Sequence, residues 1–217
     1  KYCNAKPVLV DVDPETFNIL PSEIERKINK KTRAIIVVHY GGQACDMDEI
    51  LKIANKNNLI VIEDCAHALG STYKKINCGN IGKVGCFSFY PTKIITTGEG
   101  GAISTNNTNI FKKIQILRSQ GMSVSAEERE ETLEWKYDIV DLGYNYRMDE
   151  IRSSLGYSQL KRINKINKMR EMIAKLYNEK LKNIDGIITP HKKLDRNHIY
   201  HLYTIKVTNE YPITRNQ

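Results

Sequence analysis

Hydrophobic positions change their period several times along the chain, and those changes divide it into elements. Short β-branched runs stand at PVLVDV (7–12), RAIIVVH (33–39) and LIVIED (59–64), while PSEIERKIN (21–29) and DMDEILKIANKN (46–57) carry apolar residues at helical spacing. This alternation predicts βαβ units and a largely parallel sheet flanked by helices. VGCFSFY (84–90) and GAISTN (101–106) predict two strands joined by a loop alone, which makes the sheet mixed, and NIFKKIQILRSQG (109–121) predicts a further helix. The polar, Glu-rich stretch 122–135 reads as a mobile connection. Beyond it, Asp149 is placed to cap one long helix over 149–183, and strand character returns from Ile188 through HIYHLYTIKV (198–207).

Composition narrows the class. A chain of 217 residues, 41% hydrophobic and 27% charged, buries a core of one domain or somewhat more. No run of about 18 apolar residues is present to span a bilayer, so no membrane role is expected. The first residue is Lys and residues 1–14 lack an apolar signal core, so the expected compartment is the cytoplasm. Five dispersed cysteines without a CxxC pair argue against a zinc site or a disulfide framework and read as small buried hydrophobes. The net charge of +8 favours anionic partners. Between Lys161 and Lys182 stand eight basic and two acidic residues, with apolar ones recurring at Leu160, Ile163, Ile166, Met169, Ile173 and Leu176. That is an amphipathic helix with a solvated basic face; without interleaved aromatics, it does not point to nucleic acid.

Four places carry candidate chemistry. VIEDCAHALG (61–70) ends a buried strand on Glu63 and Asp64, whose side chains leave opposite faces, so only one of them meets a ligand beyond the strand's carboxyl end. His67 follows within reach of the same ligand; the alternative is a turn-capping aspartate and a core histidine. Ser88, between Phe87 and Phe89, offers a hydroxyl to a backbone carbonyl or to a phosphate oxygen. Lys93 follows that strand and precedes the turn TTGEGG; held partly out of water, its amine attacks a carbonyl, and otherwise it neutralises a nearby anion. The glycines fit neither GxGxxG nor a GK[ST] loop. DVDPET (11–16) reads as a plain turn rather than a metal loop, and His198 and His201, three apart in an expected strand, do not share a metal.

At these residues the sequence resembles the pyridoxal-phosphate-dependent sugar aminotransferases of the DegT/DnrJ/EryC1/StrS family, through AKPVLVDVDPETFNI, TRAIIVVHYGGQACDMDEI, VIEDCAHALGSTYK, GCFSFYPTKIITTGEGGAIST, LGYNYRMDEIRSSLGYSQLKRI and HIYHLYTIKV. The resemblance implies an α/β fold-type I architecture, with the central part of a large cofactor-binding domain at 1–148, a linking helix at 149–183 and the start of a small α+β C-terminal domain at 184–217. It implies that Lys93 forms a Schiff base with pyridoxal phosphate. Asp64 would hold the pyridinium nitrogen protonated, His67 would lie against the ring near its 3′-hydroxyl, and Ser88 would bind the phosphate. Asn145 would reach the cofactor of the neighbouring subunit of a homodimer, and Arg147 would shape that interface or the sugar-nucleotide cleft. The implied reaction moves an amino group from an amino acid, typically glutamate, to a nucleotide-linked keto-sugar.

Two departures accompany the resemblance. The segments that precede and follow these motifs in the family are not in the sequence, which reads as the middle of a longer protein, and HYGGQACD carries Gly41 and Cys45 where relatives more often have a bulkier residue and proline. Two other readings are a sugar dehydratase on the same cofactor, against which Lys93 argues because those enzymes carry histidine there, and a non-catalytic regulatory or scaffold protein retaining the fold.

Overall fold

A computed structural model describes residues 2–124, 135–214 and 216. Among them, the central element is a four-stranded sheet in the order β1-β2-β5-β6, formed by β1 (Ala34–Val38), β2 (Ile60–Asp64), β5 (Val84–Ser88) and β6 (Gly101–Ser104). β1 pairs parallel with β2, β2 parallel with β5, and β5 antiparallel with β6, so the sheet is mixed and mostly parallel, as the spacing predicts. Helices α1 (Pro21–Lys27) and α2 (Met47–Lys56) cross over on one face. Their apolar residues Ile24, Met47, Ile50 and Ala54 bury Ile35, Val37 and Val61. The alternate residues leave the other face, where Ile36 is 61% and Val38 41% exposed.

The short strands β3 (Thr72–Tyr73) and β4 (Ile76–Asn77) form a hairpin the pattern does not reveal, because its turn is made by Lys74 and Lys75 at positive φ rather than by Asn-Gly. Helix α3 (Thr108–Arg118) follows β6 and is capped by Asn107, whose side chain accepts from the Ile110 amide. Of the expected connection over 122–135, residues 125–134 lie outside those described.

Three expectations are corrected. The run 7–12 is not a strand: among the described residues its one ladder contact is an isolated bridge between Val12 and Ile19, and Leu9 is 89% exposed, because no described strand lies alongside to supply hydrogen bonds. The single helix over 149–183 is two helices, α4 (Glu150–Leu160) and α5 (Ile163–Leu181); Asp149 caps the first as expected, and no Gly or Pro marks the break at Lys161–Arg162. The run 198–207 forms a strand only at its end, where β8 (Lys206–Val207) meets β7 (Ile187–Ile188); at its start His198 makes a single isolated bridge to Gln43. Its first half instead turns at Tyr200, at positive φ, and docks on the loop after β1 through bonds from the Ile199 amide to the Gly42 carbonyl and from Leu202 to Gly41.

Candidate active site

Strand β2 delivers two carboxylates to opposite faces. Glu63 goes to the helix-covered side and is fully buried; its Oε2 accepts from His39 Nε2 (2.9 Å) and the Gly79 amide (2.8 Å), and its Oε1 from the amides of Ile81 (2.8 Å) and Gly82 (2.6 Å). Burial pushes this carboxyl up, but the bonds from His39, Gly79 and Gly82 outweigh it and hold it below the usual carboxylate range. His39, Glu63 and Cys78 offer ligand atoms within 4.8 Å of one another. Both Glu63 oxygens are already taken, and burial, then the Glu63 charge, lifts the Cys78 thiol to about 12. The cluster is a structural knot that ties β2 to the loop entering β5.

Asp64 leaves on the other face and is half-buried. Its Oδ1 accepts from the Ala66 amide (3.0 Å), and Oδ2 takes no hydrogen bond from any described residue. The register places Cys86 beside Asp64, so Ser88, two residues further along β5, shares that face; its Oγ makes only a long contact to the Tyr90 amide (3.4 Å). His67, on the loop after β2, accepts at Nδ1 from the Gly41 amide (3.4 Å), which leaves the proton of the neutral ring on Nε2. Tyr40 meets it edge-on at 6.0 Å, and His201 lies 4.4 Å away, centroid to centroid.

Lys93 is half-buried on the loop between β5 and β6, its amide bonded to the Tyr90 carbonyl. Its charge reaches this group. Burial first, and Lys93 second, holds His67 below the ordinary histidine value, while Asp64 opposes them. His201 is drawn down to about 4 by burial, then by His67, Lys93 and Arg170. Asp64 and Lys93 therefore both lie within electrostatic reach of His67, and the strand register sets Ser88 on the face of Asp64. Close approach here requires glycine: at Gly42 (φ +99) a Cβ would lie 2.7 Å from Ile199 Cγ1 and 3.1 Å from the His67 carbonyl oxygen.

Asn145 is elsewhere. It is exposed, bridges Ser119, and in sequence separates Tyr144 from Tyr146, whose rings stack on each other, with Arg147 exposed next to it. No described contact joins it to the Asp64 group. A described cleft of about 540 Å³ among Phe17, Glu171, Lys175, Tyr200 and Lys206 is not lined by that group either, which lies toward the open sheet face. His201 is the neighbour the sequence did not reveal, since an expected strand over 198–207 gave no sign of the turn at Tyr200 that brings its ring to His67. His198 stacks on Tyr200 at 4.0 Å instead, so the two histidines have different neighbours.

A half-buried carboxylate with a free oxygen, a neutral histidine, a hydroxyl and a lysine at and beyond the carboxyl ends of β2 and β5 form the donor set of a site for an aromatic carbonyl cofactor. The chain matches the DegT/DnrJ/EryC1/StrS aminotransferase family over residues 1–217 and belongs to it. It is 41% identical over 217 residues to the GDP-perosamine synthase of Caulobacter vibrioides, covering 100% of this chain and 56% of that protein. It is 40% identical over 204 residues to the dTDP-3-amino-3,6-dideoxy-alpha-D-galactopyranose transaminase of Aneurinibacillus thermoaerophilus, covering 94% and 53%. Among solved structures, Helicobacter pylori PseC, an aminotransferase involved in the biosynthesis of pseudoaminic acid, superposes with a TM-score of 0.87 at 32% identity, over 94% of this chain and 53% of that one. The chain thus spans about half the length of these relatives. Membership indicates pyridoxal phosphate as the cofactor, and the residues present fit it: Asp64 for a ring N–H, Lys93 for the carbonyl, Ser88 for the phosphate, His67 for the ring.

Proposed function

We propose that the intact protein is a pyridoxal-phosphate-dependent aminotransferase that moves an amino group from an amino acid, glutamate by preference, to a nucleotide-linked keto-sugar. The observation that carries this reading is that Lys93 and Asp64 both act electrostatically on His67, with Asp64 and Ser88 on one face of the neighbouring strands β2 and β5. When bound, the cofactor supplies a protonated heteroaromatic ring that withdraws electrons from the carbon bearing the amino group. Asp64 Oδ2 would accept the ring N–H and hold that proton in place. Lys93 Nζ would anchor the carbonyl covalently until the incoming substrate amine displaces it; the freed, neutral amine would then take the proton from the substrate carbon and pass it on. His67 would pack on the ring and offer Nε2–H to its oxygen substituent; burial holds the imidazole below the ordinary histidine value, so it would not compete for the moving proton. Ser88 Oγ would donate to the phosphate.

Asn145 is assigned to the cofactor of a second subunit. Supporting this homodimer, the chain around it exposes Trp135, Ile139, Leu142, Tyr144 and Tyr146 on one stretch. The domains are assigned as 1–148, 149–183 and 184–217. Among the described residues no helix is long and apolar enough to cross a membrane. The cytoplasm is the proposed compartment, and the free described cysteines fit it.

The test is an assay of the full-length protein with glutamate and a panel of nucleotide keto-sugars, following 2-oxoglutarate release. Turnover with at least one sugar, lost in a folded Lys93→Ala variant, is expected; transamination retained by Lys93→Ala refutes the assignment.

A further inference from the structure

The loop over 90–100 that carries Lys93 belongs to no strand, so its position depends on what grips it. Ile94 and Ile95, directly after the lysine, are buried with Ile199 against Ile163 and Ile166 of α5. Thr96 comes next, and one side chain takes both of its main-chain groups. Gln159, near the end of α4, accepts from the Thr96 amide at Oε1 (3.2 Å) and donates from Nε2 to the Thr96 carbonyl (2.7 Å). The second Nε2 proton goes to the Leu155 carbonyl (3.1 Å), so the amide is fully used and cannot turn over without opposing like groups. Gly156 brings α4 this close: a Cβ there would stand 2.8 Å from Thr97 Cγ2.

A primary amide presents a donor and an acceptor side by side, as a neighbouring peptide unit does, and two such bonds resist both sliding and rotation of the segment they hold. The buried isoleucines alone provide non-directional contact, which tolerates small shifts. The break between α4 and α5 falls between these two grips, so the loop is held from both sides of the joint.

We propose that Gln159 is a positioning residue for Lys93: its paired hydrogen bonds to Thr96 fix where the amine stands relative to Asp64 and His67. The inference rests on the reading of Lys93 as the covalent anchor.

The experiment compares the full-length holoenzyme with Gln159→Met, Gln159→Glu and Lys93→Ala, measuring cofactor release by fluorescence and the absorbance of the lysine-linked cofactor from acid to alkaline pH. In Gln159→Met, release is expected to quicken roughly tenfold, since displacement of a reacting group by a fraction of an ångström carries costs of that order. Gln159→Glu is expected to match the wild type at acid pH, where a protonated carboxyl again offers one donor and one acceptor, and to match Gln159→Met at alkaline pH, where an anionic oxygen faces the Thr96 carbonyl. Wild-type release in both variants at every pH overturns the proposal, as does a defect in Gln159→Glu that acid does not repair. Should Gln159→Met fail to fold, the pH profile of Gln159→Glu decides alone. A Lys93→Ala protein that keeps the lysine-type absorbance overturns the underlying assignment instead, so the two failures are distinguishable.

Discussion

Replacing Glu63 by glutamine exchanges one oxygen for an amino group on a side chain with no exposure to solvent. Each oxygen of Glu63 serves two N–H donors, His39 and Gly79 on Oε2, Ile81 and Gly82 on Oε1. His39 cannot adapt by moving its proton, because its Nδ1 already accepts from the Cys45 amide (3.1 Å). Whichever oxygen becomes nitrogen, two buried donors lose their acceptor and face another donor. At about 1–3 kcal/mol per orphaned group, the expected loss is about 2–6 kcal/mol, a large share of a folding stability that is roughly 5–15 kcal/mol for a typical domain. Relaxation of the loop over 79–82 moves the value toward the lower end. Urea unfolding of the full-length protein at neutral pH measures it. The pH dependence gives a second check. The folded-state carboxyl lies below its ordinary value of 4.5, so its contribution is present above that pH and is lost as pH falls through the lower, folded value. The glutamine variant lacks that dependence. A change within about 0.5 kcal/mol, the range of an inconsequential surface substitution, would refute the view that this carboxylate ties β2 to the loop entering β5.

Further predictions concern the neighbouring groups. Asp64→Asn should leave the cofactor bound but slow proton abstraction at least tenfold, read by single-turnover kinetics with glutamate; an unchanged rate removes Asp64 from the ring-nitrogen role. His198 and His201 are both held at about 4, against 6.5 ordinarily, so the unfolded chain takes up protons that the folded one refuses. Stability is then intact above about pH 6.5 and falls toward pH 4, by about 1.4 kcal/mol per pH unit for the buried His198 and by less for the half-exposed His201, whose shift solvent screens; urea midpoints at pH 7.5, 6 and 5 that do not move contradict this. Asn145→Ala should weaken cofactor retention with little change in thermal stability, and mixing it with folded Lys93→Ala protein should restore one working site per heterodimer; no recovery on mixing argues against a shared site.

The strands and helices of the first half were legible because each satisfies its own pattern: β-branched runs for β1 and β2, helical spacing for α1 and α2. The opposed carboxylates were legible too, since alternation along a strand depends on nothing outside it. Readings failed where pairing or packing decides. The run 7–12 has strand composition but no partner strand. The segment from 198 to 207 follows the carbonyls of Gly41 and Gly42 rather than a sheet. The helix break at Lys161–Arg162 has no local cause in the sequence, and the hairpin at Lys74–Lys75 uses residues that carry no turn signal. Individual site residues were nameable from their motifs. That Lys93 acts on both His67 and His201 was not, because it depends on a loop, a turn and a glycine contact far apart in the chain.

The central claim is that one amine and one carboxylate serve a single bound ring. The most direct measurement is borohydride reduction of the full-length holoenzyme followed by proteolysis and peptide mass mapping. The account predicts one stoichiometric cofactor adduct, on Lys93, prevented by prior treatment with glutamate. An adduct on any other lysine, or none on a protein that holds its cofactor tightly, contradicts it.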